Sequence, residues 1–364
     1  MRRSAYLNLE DHNKERFIQN INEVTNWESL IHAAEKAALT NVLYKHITSL
    51  GISVPEEALR QFKALKVRQL RAHRIRSQEL HNILEQFNQE NIHAILLKGA
   101  ALTHVLYDSP EMRPMSDIDL LVHPDQADSA QAALRKIGFN AADRKQGYGF
   151  DHHHLPIASK FRDGMSVNVE VHHSALSGDA TSQIDMECLQ DKPVQFSIDH
   201  HQAWSLGHID QLRHLCHHMF EPIEVIKLGS VVDLYGYIEK FSDQINWQKL
   251  NKEFPFVINT IRCLHFLTPI PSSLESKITP PTTPAPQGVG LGFVPMSDTF
   301  RQNRDWSSRI KALLNCSDWW LHIYYQVPPE SSLSAVKNFT HPKQIMKWIV
   351  RRIKANLRSK LVKT

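Results

Sequence analysis

Apolar residues recur at helical spacing through the first ninety positions. After Asn26, a good N-cap, Leu30, Ile31, Ala34, Ala38, Val42 and Leu43 predict a helix that starts at Trp27 and ends near Gly51. Pro55 suits the first turn of a second helix. From Glu56 to about Asn91 there is no Gly or Pro, and Leu59, Phe62, Leu65, Val67, Leu70, Ile75, Leu80, Ile83, Leu84 and Phe87 keep the period, which predicts one long helix or two in line. The period then changes. Ala94 to Leu97 reads as a buried strand, Lys98-Gly99 as a turn into a short helix, and Asp117 to Val122 as a second strand beyond a loop carrying Arg113. Asp125 to Ile137 is an amphipathic helix closed by Gly138. Strand-like residues follow from Gly147 to Lys160. Asp163-Gly164 marks a hairpin because it supplies the positive φ angles that tight turns need. Val167 to His172 alternates apolar and polar and so predicts a further strand.

These elements define an α+β fold: a small mixed β-sheet with helices on one side over residues 91–176, preceded by an N-terminal helical region over 1–90. From Ser177 the pattern is largely helical, clearest over His208–Phe220 and Ile226–Phe241, so residues 177–267 are expected to pack on the core as helices. Pro269 to Pro295 holds seven prolines, three glycines and no long apolar run, which predicts a linker over 268–300. Residues 301–364 are expected to be C-terminal helices, one over Arg304–Gln326 and a basic one after Pro342.

Composition narrows the class. The 364 residues leave room for two or three subdomains, and 42% hydrophobic with 22% charged residues is ordinary for a globular protein. No apolar run reaches about 18 residues, so no spanning helix is expected, and the N-terminal stretch lacks a signal-peptide block. Cys188, Cys216, Cys263 and Cys316 are widely spaced and form no C-x-x-C pair, which fits reduced thiols in a cytoplasmic protein. The net charge of +4 is uneven. Nine Lys and Arg and no acid follow Glu330, and subtracting those nine leaves residues 1–330 at −5. The tail from Lys343 to Lys363 places Ile345, Met346, Ile349, Val350, Ile353 and Leu357 at helical spacing. It either packs on the body or lies on anionic lipid or nucleic acid. Arg60, Lys63, Lys66, Arg68, Arg71, Arg74 and Arg76 on the long helix read as a solvated face or as an acceptor-binding one.

The candidate chemistry lies in the central strands. Asp117 and Asp119 stand at i and i+2, so they project side by side while Ile118, Leu120 and Val122 point into a core. Neighbouring carboxylates repel unless a cation sits between them, and Mg²⁺ takes such oxygens while keeping substrate phosphates in its remaining positions. A lone Asp-x-Asp is more often a solvated strand end or a turn. The flanks change its meaning: a glycine bend lets backbone N–H groups approach a phosphate at a helix start, and Glu170 adds a third carboxylate on a later strand. Lys98 is a point-charge donor beside that bend, and Arg113 precedes Asp117 by four residues. His172 shares the face of Glu170, where it either holds a carboxylate, touches the nucleotide or is simply a strand-end core residue. Of 22 histidines, His214 and His218 stand at i, i+4, as zinc ligands do. Glu221 could join them only if the helix ran past Pro222, and no H-E-x-x-H is present. Packing toward the core is the competing reading, and a zinc hydrolase is the corresponding rival function.

Together, LLKGAAL, R-x-x-S-D-I-D-L-L-V and VEVHH resemble the DNA polymerase beta-type nucleotidyltransferase superfamily, and within it a bacterial branch labelled nucleotidyltransferase family protein. The resemblance spans Asn26 to Leu250. The superfamily's Gly-Ser is Gly99-Ala100 here, and the interval to Asp117 is longer than in most members. The resemblance implies that Asp117, Asp119 and Glu170 are catalytic and hold two Mg²⁺ ions, with Lys98, Gly99, Ala100, Arg113 and His172 at the nucleotide. It further implies transfer of an NMP from a nucleoside triphosphate to the hydroxyl of a small molecule, protein or RNA. The alternative is a weakened nucleotidyltransferase-like protein that binds a nucleotide or a partner.

Overall fold

In the computed structural model, which describes residues 5–142, 153–176, 183–198, 200–219, 226–291, 305, 307, 314 and 316–350, the N-terminal helical pattern becomes α1 (Asp11–Asn22), α2 (Trp27–Lys36), α3 (Thr40–Ser49) and α4 (Glu56–Gln89). Asn26 caps α2 by accepting from the Ser29 amide at 2.9 Å. The single helix expected from Trp27 to Gly51 is instead two, broken where Ala38 takes φ +59°. The cause is tertiary. The Ala37 carbonyl released at the break accepts from the Gly229 amide at 2.8 Å, and a Cβ on Gly229 would stand 2.9 Å from that oxygen.

The long helix α4 is continuous over 34 residues and serves two cores. Its first half packs Ala58 and Phe62 with Phe17, Ile21, Ile31, Leu43 and Ile47. Its second half lays Ile75, Leu80, Ile83 and Phe87 against the sheet. Each such side chain, fully buried, contributes about 1.5–3 kcal/mol. Glu79, fully buried on the same helix, receives Lys160 Nζ at 2.8 Å and so ties α4 to a sheet strand by charge as well.

The sheet is assembled from β1 (Ala94–Leu96), followed by α5 (Lys98–Val105), then β2 (Asp117–Val122), α6 (Ala127–Lys136), β3 (Asn140–Ala141), β4 (Ala158–Arg162), β5 (Met165–His172), β6 (Val194–Ile198) and β7 (His201–Ser205). The strand order is β3-β4-β5-β2-β1-β7-β6. β2 runs antiparallel to β1 and parallel to β5, so the sheet is mixed and the fold is α+β. β4 and β5 pair antiparallel around Asp163 and Gly164, at φ +47° and +83°, the two-residue turn that Asp-Gly predicts. Part of the strand-like stretch expected from Gly147 lies outside the described residues.

Two expectations are corrected here. The β6–β7 hairpin lies inside a region expected to be helical. Val194–Ile198 alternates with period two, but its Gln, Ser and flanking His residues carry little strand propensity of their own, and pairing of β7 with β1 completes the element. The sheet also carries a core on both faces rather than helices on one side. Ile118, Leu120 and Val122 join the α4–α6 core, whereas Leu121 meets Ile95, Leu97, Ala175, Leu176, Ile184 and Leu206 on the other.

After the sheet come α7 (His208–His218), α8 (Leu228–Phe241), α9 (Trp247–Glu253), α10 (Pro255–Leu264) and α11 (Asp318–Tyr324), then a helical run over 334–350. The chain forms two compact units, residues 1–219 with 227–250, and residues 220–226 with 251–364. In the second, Trp319 is fully buried and donates to the Cys263 carbonyl at 2.7 Å. The described part of the expected linker, residues 268–291, is a packed loop. Ile270, Leu274 and Ile278 are buried there, and Arg262 Nε holds the Thr279 carbonyl at 3.0 Å. Prolines limit the loop's unfolded freedom, so a few apolar anchors suffice to order it. In the helical run Ile345 is buried against the Trp320 and Leu333 cluster, while Met346 is exposed. Residues 351–364, with six of the nine tail cations, lie outside the described residues. No helix among the described residues is long and apolar enough to cross a membrane.

Candidate active site

β2 and β5 bring the acidic residues together. Their parallel register pairs Asp119 with Glu170 and Asp117 with Asn168. Asp117 and Asp119 share the sheet face opposite the α4–α6 core. His172, two residues beyond Glu170, places Nε2 at 2.9 Å from Asp119 Oδ1 and 3.4 Å from Glu170 Oε2. Lys98 Nζ approaches the same Asp119 Oδ1 at 3.0 Å. Lys98 takes φ +45°, an unusual backbone for a lysine, at the first residue of α5.

This geometry separates the two aspartates electrostatically. Burial alone would raise the Asp119 carboxyl, but the His172 hydrogen bond and the Lys98 charge outweigh it and hold the group well below the usual carboxylate range. Glu170 is also lowered, chiefly by His172 and against its burial. Burial works against a charged His172, yet its bonds to Asp119 and Glu170 raise it above an ordinary imidazole. Asp117 goes the other way. Burial and then the negative charge of Asp119 raise it, and its hydrogen bond among the described residues comes from the Ser116 hydroxyl at 2.9 Å. It is the carboxylate with the least compensation.

These residues fit a divalent cation. Ligand atoms of Asp119, Glu170 and His172 lie within 4.8 Å of one another. Lys98 and His172 both address Asp119 Oδ1. Asp117, one pleat away, has no ion-pair partner in contact among the described residues, and Lys98 only partly offsets its burial. Hard carboxylate oxygens are the donors that magnesium takes.

Gly99 and Ala100 are buried in the first turn of α5. A Cβ at Gly99 would stand 2.5 Å from Arg113 Nη1 and 3.0 Å from Met115 Cγ, so glycine is required by close approach. Arg113 itself is committed elsewhere: Nε lies 3.0 and 2.9 Å from the two Asp233 oxygens and Nη2 lies 2.8 Å from Oδ2. Because Arg113 is clamped and cannot retreat, Gly99→Ala is expected to cost about 1–3 kcal/mol by overpacking. Urea unfolding measures this, and an unchanged midpoint would mean that Arg113 yields freely.

The structure thus brings Lys98, Asp119, Glu170 and His172 into contact, sets Asp117 on their face and Gly99-Ala100 at the adjoining turn, and gives Arg113 a carboxylate partner. Two further histidines gather at the same place. The His153 and His154 rings lie 5.2 and 5.3 Å from that of His172. His214 is buried on α7, where burial and then the nearby His218 and Lys98 push it well below an ordinary imidazole. Among the described residues, His214 and His218 join no group of three metal-ligating side chains; Glu221 lies outside those residues. Sequence reasoning missed Asp233, whose signal was a single carboxylate inside the apolar run VVDLYGY.

A mixed sheet with acidic residues on two parallel neighbours, beside a glycine bend into a helix, is the frame of a nucleotidyltransferase. The chain belongs to the family described as uncharacterised nucleotidyltransferase, whose profile matches residues 23–263, two thirds of its length. It is a nucleotidyltransferase enzyme. Among solved structures it is similar to an antigenic nucleotidyltransferase-like protein from Paracoccidioides brasiliensis, with 19% identity over 56% of this chain and 91% of that one and a TM-score of 0.39. It is also similar to the antibiotic-resistance factor ANT(2'')-Ia in solution (14% identity, 46% and 85%, TM-score 0.31). The third is ANT(2'')-Ia in complex with adenylyl-2''-tobramycin (12% identity, 46% and 90%, TM-score 0.32). No curated protein matches the sequence significantly.

Proposed function

We propose that the protein is a Mg²⁺-dependent enzyme of the polymerase beta type that transfers an NMP from a nucleoside triphosphate to an acceptor hydroxyl. The observation that carries this reading is the meeting of Asp119 and Glu170 across paired strands, with Asp117 undercompensated beside them. Asp117, Asp119 and Glu170 would hold magnesium, which supplies positive charge to the triphosphate and the leaving group when bound. Gly99 and the start of α5 face the triphosphate with backbone N–H groups, and Lys98 adds charge there. His172 fixes the orientation of Asp119 and Glu170 and balances their charge. Glu170, held ionised, takes the proton of the acceptor hydroxyl as its oxygen bonds to the α-phosphorus. The bond from that phosphorus to the β-bridging oxygen breaks, and pyrophosphate leaves with the electron pair. Most of the rate gain comes from positioning and fixed charge.

Incubating the protein with each labelled NTP and a cell extract reveals the acceptor as the species that gains label. Chelation of divalent ions is expected to reduce labelling and pyrophosphate release to background, with recovery on added Mg²⁺. Release that persists under chelation would overturn the metal's part. Calorimetric binding of ATP with Mg²⁺ but no pyrophosphate release with any extract would favour a binding protein instead.

A further inference from the structure

The basic face of α4 divides in two. Arg60 pairs with Glu56 and Glu57 in solvent, and Arg68 pairs with Glu35. Further along, Arg71 and Arg76 wall a cavity of about 560 Å³ that is closed by the Pro114–Ser116 loop, the 163–165 turn and Lys227. The loop residue Ser116 is hydrogen-bonded to Asp117, and Asp117 is the charge that opposes the effect of burial on Arg76. The cavity therefore lies at the end of the sheet where β2 begins with Asp117.

Its lining is strongly cationic. Among the described residues, Lys36, Arg68, Arg71, Arg76 and Lys227 line the cavity with Glu35 and Asp163 as the acids, a surplus of three positive charges. Arg68 is neutralised by Glu35, and Arg71 gives Nη2 to the Asp163 carbonyl at 2.8 Å. Arg76 is different. Its Nε is buried and has no hydrogen-bond partner among the described residues. A buried donor left unmade is costly, more so when charged, so a bound acceptor atom there has a large gain to realise. A guanidinium fork matches an oxyanion bidentately. A three-charge surplus suits a dianion better than a carboxylate.

We propose that this cavity is the acceptor pocket and that the acceptor is a phosphate monoester, gripped by Arg76 with Arg71 and Lys227 so that its free hydroxyl reaches the site beside Asp117. The proposal rests on the nucleotidyl-transfer reading, in which the nucleotide's own phosphates lie at the Gly99 turn. The new ester forms at that hydroxyl, and the acceptor's phosphate takes no part in bond making.

The test uses the full chain with Mg²⁺ and saturating α,β-methylene ATP, which occupies the nucleotide site without reacting. Inorganic phosphate is then titrated by calorimetry. Phosphate is expected to bind the nucleotide-loaded protein, and Arg76→Gln or, at the exposed rim, Lys227→Gln to weaken it about tenfold or more. Affinity for the analogue and the melting temperature are expected to stay unchanged. Absence of phosphate binding, equal binding by the variants, or displacement of phosphate by the analogue would each overturn the proposal. Failure of the analogue itself to bind, with Arg76-dependent phosphate binding intact, would defeat the nucleotidyl-transfer reading and leave an oxyanion site in the cavity.

Discussion

Asp119→Asn is expected to reduce Mg²⁺-dependent pyrophosphate release by at least 10²–10³-fold, roughly the scale of losing one preorganised electrostatic contact at a reacting centre. The change removes the charge that meets Lys98 and His172 together. A direct readout accompanies it. In the wild type the His172 imidazole is held above its ordinary range against its burial by Asp119 and Glu170. With one of these two negative charges gone, burial gains ground and the NMR titration of His172 moves down. The sign for stability follows from linkage. His172, raised on folding, contributes stability that is complete below the ordinary imidazole range and disappears as pH rises through its folded value. Asp119, lowered on folding, contributes stability present above the ordinary carboxylate range and lost as pH falls through its folded value. The wild type is therefore expected to gain over Asp119→Asn most between those two limits, in mildly acidic solution, by about 1–3 kcal/mol. Retained pyrophosphate release with a shifted His172 would reduce the cluster to a structural device; an unshifted His172 would contradict its pairing altogether.

How much of this site was legible in the chain follows from the range of the forces involved. The β1–α5–β2 unit is specified locally. The apolar alternation of DIDLLV, the glycine after β1 and the Asp-Gly turn each act within a few residues, so pattern reading found the strands and put Glu170 on the right face. Elements set by distant partners were not legible. Ala38 breaks a helix because Gly229, far along the chain, packs on the released carbonyl. The β6–β7 hairpin completes a sheet edge that only the folded β1 offers. The packed loop over 268–291 depends on Arg262 and Trp319 from elements on either side. The histidines illustrate the same limit: His154 reaches His172 only through the backbone bridge between them. Arg113 was expected at the nucleotide, and its partner Asp233 was hidden in an apolar helix.

That partner makes the largest prediction about stability. Asp233, almost fully buried on α8, accepts Tyr107 Oη at 2.6 Å and takes Arg113 through three contacts between 2.8 and 3.0 Å. Burial alone would lower the Arg113 guanidinium, yet Asp233 raises it, so the arginine stays charged in a site with little water. Asp233→Ala strands that charge and leaves the Tyr107 hydroxyl without its acceptor. Breaking one side of a buried pair costs about 3–5 kcal/mol, and denaturant unfolding is expected to report a loss of that size. Arg113→Met with Asp233→Leu removes both charges and is expected to cost clearly less than the single changes combined, which a double-mutant cycle measures. Activity separates two roles for Arg113. If it works through position, holding the 113–116 loop against Gly99 and so setting Asp117, Arg113→Met lowers turnover and leaves the KM for NTP nearly unchanged. If instead it leaves Asp233 to grip pyrophosphate, KM rises while Asp233→Ala, which frees the arginine, lowers KM. The three contacts to Asp233, and the seating of Nη1 where a Cβ on Gly99 would come within 2.5 Å of it, favour position.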